Sequence, residues 1–347
     1  MTDRSNFSVQ RYTRTSRVGA IAGGILLVAL IAGPWWLDRA NMRLLVEIFY
    51  FLALAQMWNL LAGYGGLVSV GQQAFVGLGG YLLFILAINF GIGPLWTVPL
   101  AGLIGGIISL PVAFLVFRLR GHYFAIGTWV IAEVFLLGFA QAKTLGGGSG
   151  MSLPISVIKD IAETRSGRDA AVYWLALSVA VAVIAVIYLV LRSRYGLALT
   201  SVRDSEEASD SLGVNNFQTK LLVYVIAAVG TSAIGALIYM TKLRISPSAA
   251  FDINWTTTVI FIVVIGGIGS IEGPIIGTII FFLLREPLAD FGTWYLMLLG
   301  AIAVVIMLKA PHGIWGLIAE RWDLRFFPVQ RRLHFDSIAN QPGRIDG

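Results

Sequence analysis

The chain has 347 residues, of which 57% are hydrophobic and 13% charged, with mean hydropathy +0.80 and a formal net charge of +6. No water-soluble domain of this length has that composition. With no cysteine in it, disulfides, thiol catalysis and cysteine metal sites are excluded.

The apolar residues fall in runs of membrane-spanning length, which predicts an all-α polytopic membrane protein. Ten runs are read in chain order: roughly Val18–Leu37, Leu44–Leu61, Val68–Phe90, Leu95–Phe117, Tyr123–Ala140, Tyr173–Leu191, Leu221–Met240, Thr256–Ile265, Ile275–Leu284 and Phe291–Leu308. The eighth and ninth are short, so eight to ten transmembrane helices are expected. The first run has a basic leader like a secretory signal. It is long, however, and ends in Pro34-Trp35-Trp36 with no small-residue cleavage pattern, so it reads as an uncleaved span with an interfacial anchor.

Between the second and third runs the sequence reads GYGGLVSVGQQAFVGLGGY (Gly63–Tyr81), and a second interruption, GGIGSIEGPIIG (Gly266–Gly277), lies in the other half. In lipid, irregular backbone is tolerated where protein covers it or where it lines a watery path, and transporters build substrate sites from such broken helices. The two glycine-rich helix breaks predict a conduit, with Gly65, Gly66, Gly71, Gly266, Gly267, Gly269 and Gly273 as gating positions. Gly269, Gly273 and Gly277 also keep the spacing that lets helices approach closely.

Polar residues within the spans mark candidates for the translocation path. Gln56 and Asn59 are one turn apart on the second run, and Ser69, Gln72 and Gln73 follow in the break. Glu133 lies near the middle of the fifth run, where an ionisable group is costly and hence a functional candidate. Interhelical hydrogen bonding is the alternative role for each.

The chain divides into an N-terminal arm (1–17), a transmembrane domain (18–309) and a basic, partly amphipathic tail (310–347). An outward loop (141–172) opens on a flexible run, TLGGGSGMS, and an inward loop spans 192–220. Within the inward loop, Leu199–Leu212 is expected as a short helix with Arg203 and Glu207 at i,i+4 spacing and Gly213 as its terminator. The tail's GIWGLIAERWDLRFF suits a helix in the headgroup layer, with fraying expected after Pro328. The 25 Lys and Arg concentrate in the arm, the Arg118–Arg120 turn, the inward loop and the tail, which places both termini in the cytoplasm.

Several chemistries lack their motifs. There is no GxxxxGK[ST] phosphate loop, and His122, His312 and His334 are scattered, without HExxH or paired carboxylates. The string from Gly267 mimics a dinucleotide fingerprint, but Glu272 occupies its third glycine position. No catalytic residue, metal or bound cofactor is expected.

Glu207-Ala208-Ser209, followed after three residues by Gly213, is close to the EAA-xxx-G loop by which ABC-transporter permeases dock on their ATPases. Together with WNLLAGYGGLVSVGQQAFVGLGGY, RLRGHYFAIGTWVIAEVF, TLGGGSGMSLP, SVRDSEEASDSLGV and GGIGSIEGPIIG, it resembles the LivM-type permeases of branched-chain amino acid ABC importers, from about Gln56 to Pro287. Ser209 replaces the usual second alanine of the docking motif, and Gln72-Gln73 stands where relatives often carry a His. The resemblance implies a bacterial or archaeal inner-membrane importer subunit, partnered by a LivH-like sister permease, two cytoplasmic ATPase subunits holding ATP-Mg, and an extracytoplasmic binding protein. It assigns docking to Arg203, Asp204, Glu207, Ala208, Ser209 and Gly213. The TLGGGSGMS run, similar to the family's TGG-type segment, is expected to shape an outer gate or receive the binding protein. Permeases for urea, short amides or aromatic acids share this fold, and an ion-coupled secondary transporter is the alternative from another class.

Overall fold

The computed structural model describes residues 7–10, 14–289, 294–310, 312–322, 326–327 and 332–335. It is a bundle of helices: α1 (Arg14–Ile31), α2 (Arg39–Asn59), α3 (Gln72–Asn89), α4 (Pro94–Val116), α5 (His122–Gln141), α6 (Arg165–Arg192), α7 (Arg194–Asp204), α8 (Glu206–Ser211), α9 (Asn216–Lys242), α10 (Asn254–Gly266), α11 (Glu272–Ala289), α12 (Trp294–Lys309) and α13 (Gly313–Trp322). Each predicted run overlaps a helix; residues 291–293 at the start of the tenth lie outside the described residues. Among the described residues, eight segments are long and apolar enough to cross a membrane; α1 is a shorter apolar helix, and α11 carries charge at both ends.

Burial sorts the helices into an interior and a periphery. α2 and α3 are the most enclosed spans, because α9 packs along α3 and α4 while α6, α10 and α11 pack on α2. The α3–α9 crossing depends on missing side chains. A Cβ on Gly79 would stand 1.9 Å from the Ser232 carbonyl, and one on Gly235 would stand 2.1 Å from that of Val76. Backbone contact of this kind supplies much of the packing energy between membrane helices, where no hydrophobic drive exists. α10 and α11 meet in the same way through Gly266 and Gly277.

At one end of the bundle the 141–172 loop folds compactly, contrary to the flexible run expected there. Met151–Ser152 pairs antiparallel with Arg244–Ile245, and Leu153 donates its N–H to the Leu243 carbonyl at 2.9 Å. Gly150, at φ +74°, lies so close to Ile245 that a Cβ would stand 1.9 Å from its carbonyl. Gly146 and Gly150 are therefore docked by close backbone approach. At the opposite end lie both helix breaks, the α4–α5 turn, the 192–220 loop and α13. There Arg332–Phe335 pairs with Phe7–Gln10, so residues 332–335, where fraying was expected, form a strand; the remainder of 328–347 lies outside the described residues.

Candidate functional site

Both breaks are shorter than their glycine content implies. After Asn59, α2 closes in a π-turn over Leu60–Tyr64, a widening of the helix often found at functional sites. Gly65 then donates to the Leu60 and Leu61 carbonyls at 3.2 and 3.1 Å. Irregular backbone runs only as far as Gly71. Gly77, Gly79 and Gly80, read as part of the break, sit inside α3 and pack against Phe251, Ser232 and Tyr239. The second break reduces to Gly267–Ile271, with Gly273 and Gly277 inside α11. Gly267 and Gly269 hold φ of +131° and +79°, conformations costly to any residue with a side chain.

The two breaks are fastened to each other. Asn59 Nδ2 donates to the Ser270 carbonyl at 2.8 Å, its Oδ1 accepts from Gly269 N–H at 2.8 Å, and Gln56 Nε2 donates to the Ile271 carbonyl at 2.6 Å. One turn of α2 thus satisfies backbone that the second break leaves unpaired. Gly63 lets the segments touch, since a Cβ there would stand 2.6 Å from Gly269 N.

The remaining polar candidates near the first break are also engaged within the chain. Gln72 Nε2 donates to Thr231 Oγ1 at 2.5 Å, and Gln73 accepts the Thr256 hydroxyl proton through Oε1. Ser69 accepts from Gly71 N–H at 3.2 Å through Oγ and from Trp58 Nε1 at 2.8 Å through its carbonyl. Gln56, Asn59, Ser69, Gln72 and Gln73 are 0–4% exposed. In this conformation all five are buried and hydrogen-bonded within the chain.

Glu133 differs from these five. It is half-buried on α5, beside the exposed Trp129, Val130, Val134 and Leu137, and among the described residues no hydrogen bond or ion pair reaches its carboxylate. The opposite face of α5 packs inward through Phe124, Thr128 and Ala132.

The 192–220 loop forms two helices instead of the expected one. Ser205 leaves the helical conformation (φ −162°, ψ 117°) and caps α8 by accepting Ala208 N–H at 3.2 Å. This interruption removes the anticipated Arg203–Glu207 pair. Arg203 grips Asp204 Oδ1 through Nε and Nη2, both at 3.1 Å, and sends Nη1 to the Gly63 carbonyl at 3.1 Å. Gly213 terminates α8 at φ +79°, with Val214 N–H returning to the Ser209 carbonyl at 3.0 Å. Ser209 is the buried residue of α8, and its hydroxyl lies 2.6 Å from Asn216 Oδ1. The serine therefore braces the loop from within, while Glu207 and Ala208 stay exposed.

Three features escaped sequence reasoning. Leu212 at the end of α8 is 78% exposed, an apolar knob on a polar loop; its exposure depends on where α8 stops. Glu47 and Arg285 form an ion pair at 2.6 Å between α2 and α11. The residues are 238 positions apart, and only the carboxylate inside the second apolar run hints at a partner. Glu272 accepts the N–H groups of Phe326 and Phe327, each at 3.0 Å, clasping the tail to the second break. No group of three His, Asp or Glu among the described residues is placed to hold a metal ion.

Residues 40–308 match the family model described as the permease component of branched-chain amino acid transport systems. The chain is 28% identical over 323 residues to the high-affinity branched-chain amino acid transport system permease protein LivM of Salmonella typhimurium, covering 86% of this chain and 76% of that protein. The Escherichia coli LivM protein gives the same identity and coverage. A probable LivM protein of Methanocaldococcus jannaschii is 22% identical over 332 residues, covering 80% of this chain and 93% of that protein. No solved structure matches the chain.

Proposed function

The chain belongs to the family of branched-chain amino acid transport permease components, and from that premise we propose how its geometry serves ATP-driven import. It is a multi-pass transport subunit and not an enzyme, the permease of an ABC importer for branched-chain amino acids. ATP-Mg is hydrolysed on two separate cytoplasmic ATPase subunits. A LivH-like permease completes the membrane unit, and an extracytoplasmic binding protein delivers the amino acid. Both termini face the cytoplasm of a bacterial or archaeal inner membrane, in keeping with the bias of basic residues toward that side.

The observation that carries the coupling proposal is the Arg203–Gly63 hydrogen bond. α8 presents Glu207, Ala208 and Leu212 to an ATPase, while Asp204 orients Arg203 and Gly213 ends the docking helix. ATP-driven displacement of α7 and α8 pulls on the first break at Gly63–Gly71, and Asn59 carries the pull to Gly266–Gly273. A ligand shifts a conformational equilibrium only through differential contacts, and these hydrogen bonds supply a physical link between the docking loop and both breaks. Gln56, Asn59, Ser69, Gln72 and Gln73 position the moving elements, whereas Glu133 lines the path on the α5 face covered by the sister permease. A carboxylate at mid-membrane needs water or protein beside it, which is the argument for that covering.

The test is uptake of labelled leucine into proteoliposomes holding this chain with its neighbouring permease, ATPase and binding-protein gene products. ATP-dependent uptake that Glu207→Arg abolishes, with the variant chain still inserted, is expected. Uptake driven by an ion gradient without the ATPases would overturn the reading in favour of a secondary transporter. ATP turnover coupled to docking, without leucine movement, would leave the architecture and replace the substrate with urea, a short amide or an aromatic acid.

A further inference from the structure

α1 lies outside the stretch matched by the family model and touches the bundle mainly at its two ends. At one end Tyr173 donates its hydroxyl to the Leu30 carbonyl at 2.8 Å, and Trp174 Nε1 donates to that of Ile31 at 3.1 Å. At the other, Phe326 packs on Gly19, and Phe327 lies edge-on to Tyr188, with 6.0 Å between ring centroids. Between these ties α1 and α6 stand apart, leaving a slot of about 810 Å³ walled by residues such as Gly23, Leu27, Ala180 and Ile184. A Cβ on Gly23 would meet nothing within 4 Å. The small residues that usually draw membrane helices together here face open space.

The slot is apolar along its length and polar at one end only, where Ser16, Arg17 and Tyr188 join the lining. Arg17 is exposed and forms no ion pair among the described residues. From Ser16 to Leu30, α1 is about 21 Å long at 1.5 Å per residue. That exceeds the roughly 15 Å of hydrocarbon in one leaflet. A helix about 10 Å across would have to push α1 and α6 away from each other although they are tied at both ends. A single acyl chain needs no such movement.

We infer that this slot is a binding site for a phospholipid with an anionic headgroup: one acyl chain lies between α1 and α6, and the phosphate meets Arg17. The chemistry is complementary at both levels, hydrocarbon against the walls and anion against guanidinium. The lipid acts as a missing packing element that seats α1 on the bundle.

The experiment uses the full chain, purified and delipidated in mild detergent, then titrated with palmitoyl-oleoyl phosphatidylglycerol or the matching phosphatidylcholine, with bound lipid counted by native mass spectrometry. One phosphatidylglycerol is expected to bind about five-fold tighter than phosphatidylcholine, equivalent to the roughly 1 kcal/mol that one basic residue contributes near anionic lipid. Arg17→Gln should abolish that preference. Gly23→Leu should fill the slot and weaken both lipids at least ten-fold, whereas Gly24→Leu, also in open space but off the lining, should not. Ala185→Leu fills the slot from the opposite wall and replaces Gly23→Leu if that variant fails to fold. Equal binding of the two lipids, or unchanged binding with the slot filled, would overturn the inference.

Discussion

Arg203 Nη1 and the carbonyl of Gly63 are 3.1 Å apart, and this contact joins the 192–220 loop to the end of α2. Gly66 lies against the same side chain, with a hypothetical Cβ 3.3 Å from Arg203 Cγ. A Cβ on Gly269 would stand 3.8 Å from Nη1. One guanidinium therefore sits where the 192–220 loop, the first break and the second break converge. Its bond to Asp204 fixes its direction, since both partners belong to the loop and move together.

Arg203→Met should uncouple the transporter without unfolding it. The variant keeps much of the aliphatic stem that packs on Gly66 and loses the bond to the Gly63 carbonyl. Hydrogen bonds to charged groups contribute about 1.5–3 kcal/mol, so uptake per ATP hydrolysed should fall on the order of ten-fold or more. Measuring leucine uptake and ATP turnover in the same proteoliposomes checks this. A parallel fall in both would mean that Arg203 serves docking and not transmission.

Asn59→Leu should destabilise the fold more than Asn59→Asp. Asn59 satisfies both Gly269 N–H and the Ser270 carbonyl, and leucine strands both buried groups at about 1–3 kcal/mol each. Aspartate keeps the acceptor for Gly269 and loses only the donor while ionised, at the added cost of a buried charge. Protonation returns a donor. Thermal unfolding in detergent should therefore rank wild type above Asp and Asp above Leu, with the gap between the two variants widening as pH falls and the aspartate neutralises.

The helices themselves were legible because membrane spans announce themselves by length, and all ten runs overlap helices among the described residues. What glycine meant was not legible from the same string. In GYGGLVSVGQQAFVGLGGY the early glycines break the helix, whereas Gly77, Gly79 and Gly80 let α9 and Phe251 approach it. Conformational freedom and close packing demand the same residue, so composition does not separate them. The polar candidates stand out by residue type within apolar runs. Their partners lay some 160–215 positions away, at Thr231, Ser270 and Ile271, beyond any local pattern. Ser205 splits the 192–220 loop because a serine serves equally as a helix residue and as a cap; only the turn it makes distinguishes the two.

Gly266→Val should separate α10 from α11. Its Cβ would stand 1.9 Å from the Gly273 carbonyl and 2.9 Å from Gly277 N, and backbone on both sides leaves nothing flexible to yield. Overpacking of this kind costs about 1–3 kcal/mol or more. Gly300→Val on α12, where nothing lies within 4 Å, isolates the steric effect from the residue change. A lower melting temperature for the first variant and near wild-type behaviour for the second is the expected result.

Glu133 offers the sharpest separation of path from packing, because the chain has no native cysteine. In Glu133→Cys the introduced thiol is therefore the only one in this chain, and a charged, membrane-impermeant maleimide, read on this chain's band, reports whether water reaches mid-membrane on α5. If the α5 face with Trp129, Val130 and Leu137 borders the path, labelling in the assembled complex should be rapid and should slow when leucine-loaded binding protein and ATP are added. A cysteine facing hydrocarbon would remain unlabelled, because the reactive thiolate does not form there. Stability adds an independent reading: a charged side chain at a helix centre costs about 2.5–3.5 kcal/mol in insertion scales, so Glu133→Leu should insert at least as well as wild type. Transport should fall in that variant while insertion does not. Wild-type uptake by Glu133→Leu, together with an unreactive Glu133→Cys, would remove this residue from the path and return its face of α5 to lipid.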